Sequence, residues 1–293
     1  MNIAITGSSG FIANALKGSK HFSDTNFIAL SRHDDDEKWE EIIKNANVVI
    51  NLAGASVIKR WSKHNKTEIL KSRIDTTRKL VSIMNKMPKN KGPKLFISGS
   101  AIGIYPDNGN ELLDERSTQR GESFLSEVVE KWESEANELT ASHIRLVITR
   151  IGVVLGKNGG LLKKTLPLFK LGLGGKIGNG HQAFSFIHIN DLVLAIRFFI
   201  DNAKTSGTYN LVSPNNTTNI NFTKAMGKAL HKPTLIPVPA FALGIIYGKA
   251  ARIMVNGEKV YPARLLNDGF VFKYTTIEQA VENIIEELKQ KQS

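Results

Sequence analysis

Two glycines flanking two serines stand near the head of the chain, in Thr6-Gly7-Ser8-Ser9-Gly10-Phe11-Ile12-Ala13, directly between an apolar stretch, Ile3-Ala4-Ile5, and a segment of helical character. That spacing suits a phosphate cradle. Gly7 allows a tight turn, Gly10 lets the backbone approach a pyrophosphate, and the start of the helix offers free N–H groups carrying partial positive charge. Ser8, Ser9, Phe11 and Ile12 complete the turn, and Ala13, where a third glycine often stands, is small enough for close helix packing. An ordinary glycine-rich turn would look the same in isolation, so the second strand is the independent test. Sheets that bind NAD usually end this strand with an acid that accepts from a ribose hydroxyl. Here the strand from Phe27 to Leu30 runs into Ser31-Arg32, a hydroxyl and a planar cationic fork suited to a phosphate. NADP(H) is therefore favoured over NAD, although Asp34, Asp35 and Asp36 follow closely enough to reach a ribose instead. After a third strand, Val48-Val49-Ile50, the small residues of Asn51-Leu52-Ala53-Gly54-Ala55 leave room for an adenosine or ribose beside the backbone.

The elements around these residues alternate between strand and helix, the pattern of βαβ units feeding a mainly parallel sheet. Helices are expected over 11–17, 37–44, 67–87 and 123–139, and strands over 95–97 and 146–154. The apolar residues Ile69, Leu70, Ile74, Leu80, Val81 and Met84 recur near helical spacing in the longest of these. Glycine density at Gly159-Gly160 and from Gly172 to Gly180 reads as a mobile segment near a ligand. A helix over 191–200 and a strand over 208–212 return to the main sheet. His188 and Asp191 read as a helix start, with Asp191 as the cap and His188 satisfied nearby. The expected architecture is an α/β Rossmann fold, a doubly wound parallel sheet with a smaller C-terminal substrate lobe. The dinucleotide-binding domain covers 1–158, with 185–213 returning to it, and the lobe comprises 159–184 and 214–293.

Composition excludes several classes of chemistry. The 293 residues include no cysteine, which rules out disulfides, thiolate metal sites and a cysteine nucleophile. A formal net charge of +12 raises the question of nucleic acid. The densest basic run, Lys59 to Lys66, is one short cluster containing Arg60 and Trp61, and the remaining Lys and Arg are scattered among acids, so a solvated basic surface is expected. No metal site is expected, because His188-x-x-Asp191 lacks partners. No apolar run approaches the roughly 20 residues of a membrane span. A cytoplasmic protein acting on a small molecule, with neither nucleic acid nor membrane as partner, is the resulting expectation.

The turn, the Asn-Leu-Ala-Gly segment and the C-terminal lobe resemble the extended short-chain dehydrogenase/reductase superfamily. Over nearly the whole chain the sequence resembles its atypical epimerase subgroup, through Arg60-Trp61, Ser72-Arg73, Ser100 to Tyr105, Trp132-Glu133, Arg150 to Gly156, Gly172 to Gly175, Phe186-Ile187-His188, Asp191, Gly257 to Pro262 and Gly269-Phe270. The resemblance implies NADP(H) contacts at the turn, Ser31, Arg32, Leu52, Ala53, Gly54, Glu68, Arg73 and Val154, and it admits a homodimer. It also implies a Ser or Thr after the fourth strand and a Tyr-x-x-x-Lys pair on the next helix. Ser100 fits the first requirement. The helix offers only Phe124 with Val128, or Leu125 with Val129, and neither pair transfers a proton. Tyr105, following Ser100 toward the expected nicotinamide end, is the substitute acid/base candidate, with a packing role as its alternative. Two functions remain: an NADP(H)-dependent oxidoreductase or epimerase, and a catalytically inactive NADP(H) sensor or regulator.

Overall fold

The computed structural model describes residues 1–107, 111–157 and 159–290. Six strands, β1 (Asn2–Thr6), β2 (Asn26–Ala29), β3 (Val48–Asn51), β4 (Leu95–Ala101), β5 (Arg145–Ile151) and β8 (Gly207–Leu211), form one parallel sheet in the order β2-β1-β3-β4-β5-β8. The inner strands are apolar on both faces because helices cover both. Ile3, Ile5, Val48, Ile50, Leu95 and Ile97 pack toward α1 (Phe11–Lys17) and α6 (Ile189–Asp201). Ala4, Val49 and Phe96 pack the other way, toward α2 (Asp36–Lys44), α3 (Lys63–Asn85) and α4 (Phe124–Asn137). The chain leaves β1 toward β2 on one side and returns to β3 on the other. This reversal opens a crevice outside the carboxyl ends of β1 and β3, the place where open α/β sheets bind ligands.

The expected fifth strand over 146–154 is two strands. Gly152 breaks it, because a Cβ there would lie 2.6 Å from the Ser185 carbonyl oxygen and 2.7 Å from Val212 Cγ1. Beyond the break, β6 (Val153–Leu155) leaves the main sheet and pairs in parallel with β7 (Phe186–His188), Val154 opposite Ile187. The glycine pair at 159 and 160 starts a helix, α5 (Gly160–Lys170), which buries Leu162 and Phe169 against α7 (Asn219–Leu230) and α11 (Ile277–Lys289) in a third core. Three short helices, α8 (Ala240–Tyr247), α9 (Arg252–Val255) and α10 (Ala263–Asn267), lie between α7 and α11. Among the described residues, no helix is long and apolar enough to cross a membrane.

The start of α6 differs from expectation in one detail. His188, not Asp191, is the N-cap, its Nδ1 accepting from the Asn190 N–H at 3.1 Å. Asp191 lies in the first turn and accepts from the backbone N–H groups of Lys273 and Tyr274, both at 2.9 Å. That carboxylate and the His188 ring, 3.9 Å from the Tyr274 ring centroid, strap the C-terminal segment across the Rossmann core. Burial pushes the His188 pKa down to about 4. An unfolded histidine titrates near 6.5, so between those values the unfolded chain binds more protons, and stability is present above pH 6.5 and lost as pH falls toward 4. The shift corresponds to roughly 3 kcal/mol. Urea unfolding at pH 7 and pH 4.5 should therefore show a loss of that order on acidification, and the His188→Gln variant should lack this portion of it.

Candidate cofactor cleft and active site

Gly7 adopts φ +65°, and a Cβ there would stand 2.6 Å from the Leu52 carbonyl oxygen, so only glycine lets the turn close against the end of β3. Gly10 is the N-cap of α1 with no side-chain cap, leaving the N-terminal N–H groups of that helix facing the crevice. Lys17 Nζ donates to the Ser8 carbonyl at 2.7 Å and Asn14 Nδ2 to that of Ser9 at 3.0 Å, so the loop shape is set from behind by its own helix. Ile12 packs onto the sheet. The Phe11 ring lies beneath the glycines at the head of α5, since a Cβ on Gly156 would sit 2.8 Å from its Cζ. The glycine density there makes room for Phe11.

A buried polar chain holds the floor of the crevice. Thr6 Oγ1 donates to Asn51 Oδ1 at 2.6 Å and accepts from the N–H groups of Leu52 and Ala53. Asn51 Nδ2 and Trp132 Nε1 both donate to Thr77 Oγ1, at 2.8 and 3.0 Å, which couples β1 and β3 to α3 and α4. This arrangement sets the position of Arg73 one turn earlier on α3. Its guanidinium lies over Gly54, donates to the carbonyls of Ala55 and Ile69, and stacks 5.3 Å from the Trp132 ring. Desolvation lowers its pKa to about 10, so its charge sits in a partly dry site against these carbonyls and the ring. Glu68 instead pairs with Lys59, and Arg32 and His64 add to the positive field around that carboxylate.

At the end of β2 all three acids have local partners. Asp34 binds Lys38 at 2.8 Å and accepts from the Ser31 N–H, Asp35 caps α2, and Asp36 pairs with Lys79 at 2.7 Å. Arg32 beside them is exposed. Ser31 is held by the His33 N–H on its hydroxyl and by Trp39 Nε1 on its carbonyl. The cradle, the uncapped helix and the cations fit a phosphorylated dinucleotide. The segment after β4, the stretch before β7, residues 216–221 after β8 and residues 255–259 border a cavity of about 560 Å³, lined by Asn179, His181, Asn216, Thr217, Asn221 and Asn256 among others.

The NAD dependent epimerase/dehydratase family matches residues 3–212, and a domain of unknown function, DUF1731, matches residues 238–284. This chain belongs to the NAD dependent epimerase/dehydratase family. It is 35% identical over 297 residues to an epimerase family protein of Staphylococcus aureus, covering 97% of this chain and 98% of that protein. It is 33% identical over 305 residues to the chloroplastic epimerase family protein SDR39U1 homolog of Arabidopsis thaliana, covering 98% of this chain and 87% of that protein. The human epimerase family protein SDR39U1, solved with NADPH, superposes with a TM-score of 0.91 at 31% identity, covering 98% of this chain and 99% of that one.

For a member of this family, the interior beside β4 departs from the sequence expectation. Tyr105 does not face a ligand. It is 1% exposed, and its hydroxyl lies 3.0 Å from Asn210 Oδ1 and 2.9 Å from the Asp114 carbonyl while accepting from Arg150 Nη1 at 2.8 Å. Burial raises its pKa, so it is a packed hydrogen-bonding aromatic, not the acid/base candidate expected. Ser100 is 3% exposed and donates to Glu133 Oε1 at 2.6 Å, so its proton is committed to a carboxylate and is not free for a ligand. Arg150 closes on Glu133 with two bonds of 2.8 Å. Desolvation opposes the Arg150 charge, but the bonds and field of Glu133 more than offset it and raise its pKa. Glu133 and Arg150 were visible in the sequence only as isolated residues, and their partnership depends on α4 crossing β5.

Breaking a buried pair leaves the remaining charge uncompensated, at a cost of about 3 to 5 kcal/mol. Arg150→Met should lose stability of that order in urea unfolding. Adding Glu133→Leu to it should restore much of the loss, because the stranded carboxylate is gone.

Proposed function

We propose that this chain binds NADP(H) above the carboxyl ends of β1 and β3 and uses it in oxidoreductase or epimerase chemistry on a small polar substrate held in the amide-lined cavity. The observation that carries the cofactor choice is the occupancy of the three acids after β2, each bound to a local partner, beside an exposed Arg32. A ribose 2′-hydroxyl would find no free carboxylate there, whereas a 2′-phosphate would meet a guanidinium fork and the Ser31 hydroxyl. Gly7 to Ile12 would receive the pyrophosphate, Leu52, Ala53 and Gly54 would border the adenosine side, and Glu68 and Arg73 would flank the crevice from α3. Val154, on β6, would border the far end. The human relative solved with NADPH supports this reading.

When bound, NADP(H) supplies or accepts a hydride at the nicotinamide. The cavity wall of carboxamides, two threonine hydroxyls, an imidazole, Asp107 and Lys259 can hydrogen-bond the hydroxyls of a sugar-like ligand in many directions. The second reading, a cofactor sensor without turnover, is favoured by α4, where Val128 and Val129 are buried and Phe124 packs edge-on against Trp61 at 5.1 Å. No Tyr-x-x-x-Lys pair occupies that helix.

Calorimetric titration separates the cofactors. Arg32→Glu should weaken NADPH binding by roughly ten- to a hundredfold and leave NADH nearly unchanged. Equal loss of both would refute the phosphate contact. Incubating the NADPH complex with a panel of keto sugars should deplete NADPH absorbance if the chain turns over, and no depletion with any of them would favour the sensor.

A further inference from the structure

With Ser100 and Tyr105 committed to the interior and Phe124, Leu125, Val128 and Val129 on α4, none of the positions that the sequence pointed to carries a proton to this site. The missing group stands on a different element. Leu125 Cβ and Glu258 Oε1 lie 3.7 and 4.0 Å from the same point, the position a Cβ on Gly103 would occupy in the turn after β4. The carboxyl group thus arrives from the C-terminal segment beside one of the two α4 positions where a tyrosine was expected. The residues on either side of it, Gly257 and Lys259, line the amide-rich cavity.

We propose that Glu258 is the proton donor and acceptor of this site, acting on a substrate oxygen between the cavity and the end of β4. The assignment rests on the reading of the cleft as an NADP(H) site. In a Rossmann sheet the dinucleotide spans the switch point, with its second half toward the strands beyond β3, so the reacting carbon falls near the turn that holds Gly103.

The backbone around Glu258 is held in place from several sides. Ser185 Oγ donates to the Glu258 carbonyl at 2.6 Å and accepts from the Val260 N–H at 3.1 Å. The Gly257 N–H donates to the Asp107 carbonyl at 3.2 Å, the Leu113 N–H to the Lys259 carbonyl at 2.9 Å, and the Tyr261 N–H to the Leu113 carbonyl at 2.8 Å. Such a clamp suits a group that must meet a reacting atom at fixed distance. Part of the Glu258 residue remains open to solvent, yet protein surrounds the carboxyl group densely enough that desolvation pushes its pKa up to about 7, with Asp107 adding to the rise. Asp107 is itself bound to Arg252 at 2.6 Å, and Glu122 acts on Arg252 in turn, so these charges set the local field. A carboxyl group poised near neutrality is half protonated at working pH and serves in both directions.

In the direction of reduction, a C–H bond forms at a substrate carbonyl carbon with the hydride of NADPH while the protonated Oε of Glu258 gives its proton to the carbonyl oxygen. The products are an alcohol, NADP⁺ and the Glu258 carboxylate, which takes its next proton from solvent. Oxidation reverses each transfer.

The test is a carbon NMR titration of the full-length protein labelled at the glutamate carboxyl, recorded with NADPH and with NADP⁺ bound. One resonance, absent from Glu258→Gln, is expected to titrate near pH 7 with NADPH and about half a unit or more lower with NADP⁺, because the pyridinium charge favours the carboxylate. A midpoint near the ordinary glutamate value of about 4.3, or one that is blind to the redox state of the cofactor, overturns the assignment. Should Glu258→Gln fail to fold, Glu258→Asp removes the same resonance and provides the identification. Calorimetry on the same samples separates the two readings. Absence of binding by either dinucleotide removes both, whereas normal binding with a redox-blind Glu258 removes only the proton carrier.

Discussion

The ion pair between Glu133 and Arg150 is the constraint on which the interior beside the crevice depends. Two charges at 4% and 9% exposure survive there because polar groups are turned toward them: the Ser100 hydroxyl from β4, the Tyr105 hydroxyl from the following turn and, through Tyr105, the Asn210 amide from β8. Burying such a pair is costly unless its hydrogen bonds are complete. The pair therefore ties α4, β4, β5 and β8 to a single arrangement. Its consequence for function is that Ser100 and Tyr105 serve the architecture.

A second buried chain, from Thr6 through Asn51 to Thr77 and Trp132, performs the corresponding task for the cofactor side. It holds the ends of β1 and β3 together where the glycine turn must stay open, and it places Arg73 over Gly54, where among the described residues no carboxylate pairs with it. The two chains meet at α4, which contributes Trp132 to one and Glu133 to the other. Neighbouring residues on one helix thus brace both halves of the cleft. The C-terminal segment is strapped to this frame through Asp191 and His188 and completes the cavity wall from the far side.

Local signals in the sequence were sufficient wherever one short stretch carries the whole argument. The turn from Gly7 to Ile12, the strand end at Ser31-Arg32 and the Rossmann alternation of elements needed only spacing, propensity and residue size, and the parallel sheet has the layout they imply. The same local logic misread 146–154 and 159–160. The break at Gly152 is imposed by Ser185 and Val212, and the glycines ahead of α5 answer to Phe11, partners that are distant in sequence.

What the sequence by itself determined is the class of ligand, because the groups suited to phosphate, backbone N–H groups at a glycine turn and one neighbouring cation, are all encoded within the first strands. What only the tertiary structure decided is which polar side chains are free to do chemistry. A hydroxyl or carboxyl group has the same appearance in sequence whether it faces a cleft or a buried charge. Burial and partnership arise from crossings between α4, β5 and the C-terminal segment, more than a hundred residues apart in the case of Glu258 and Gly103.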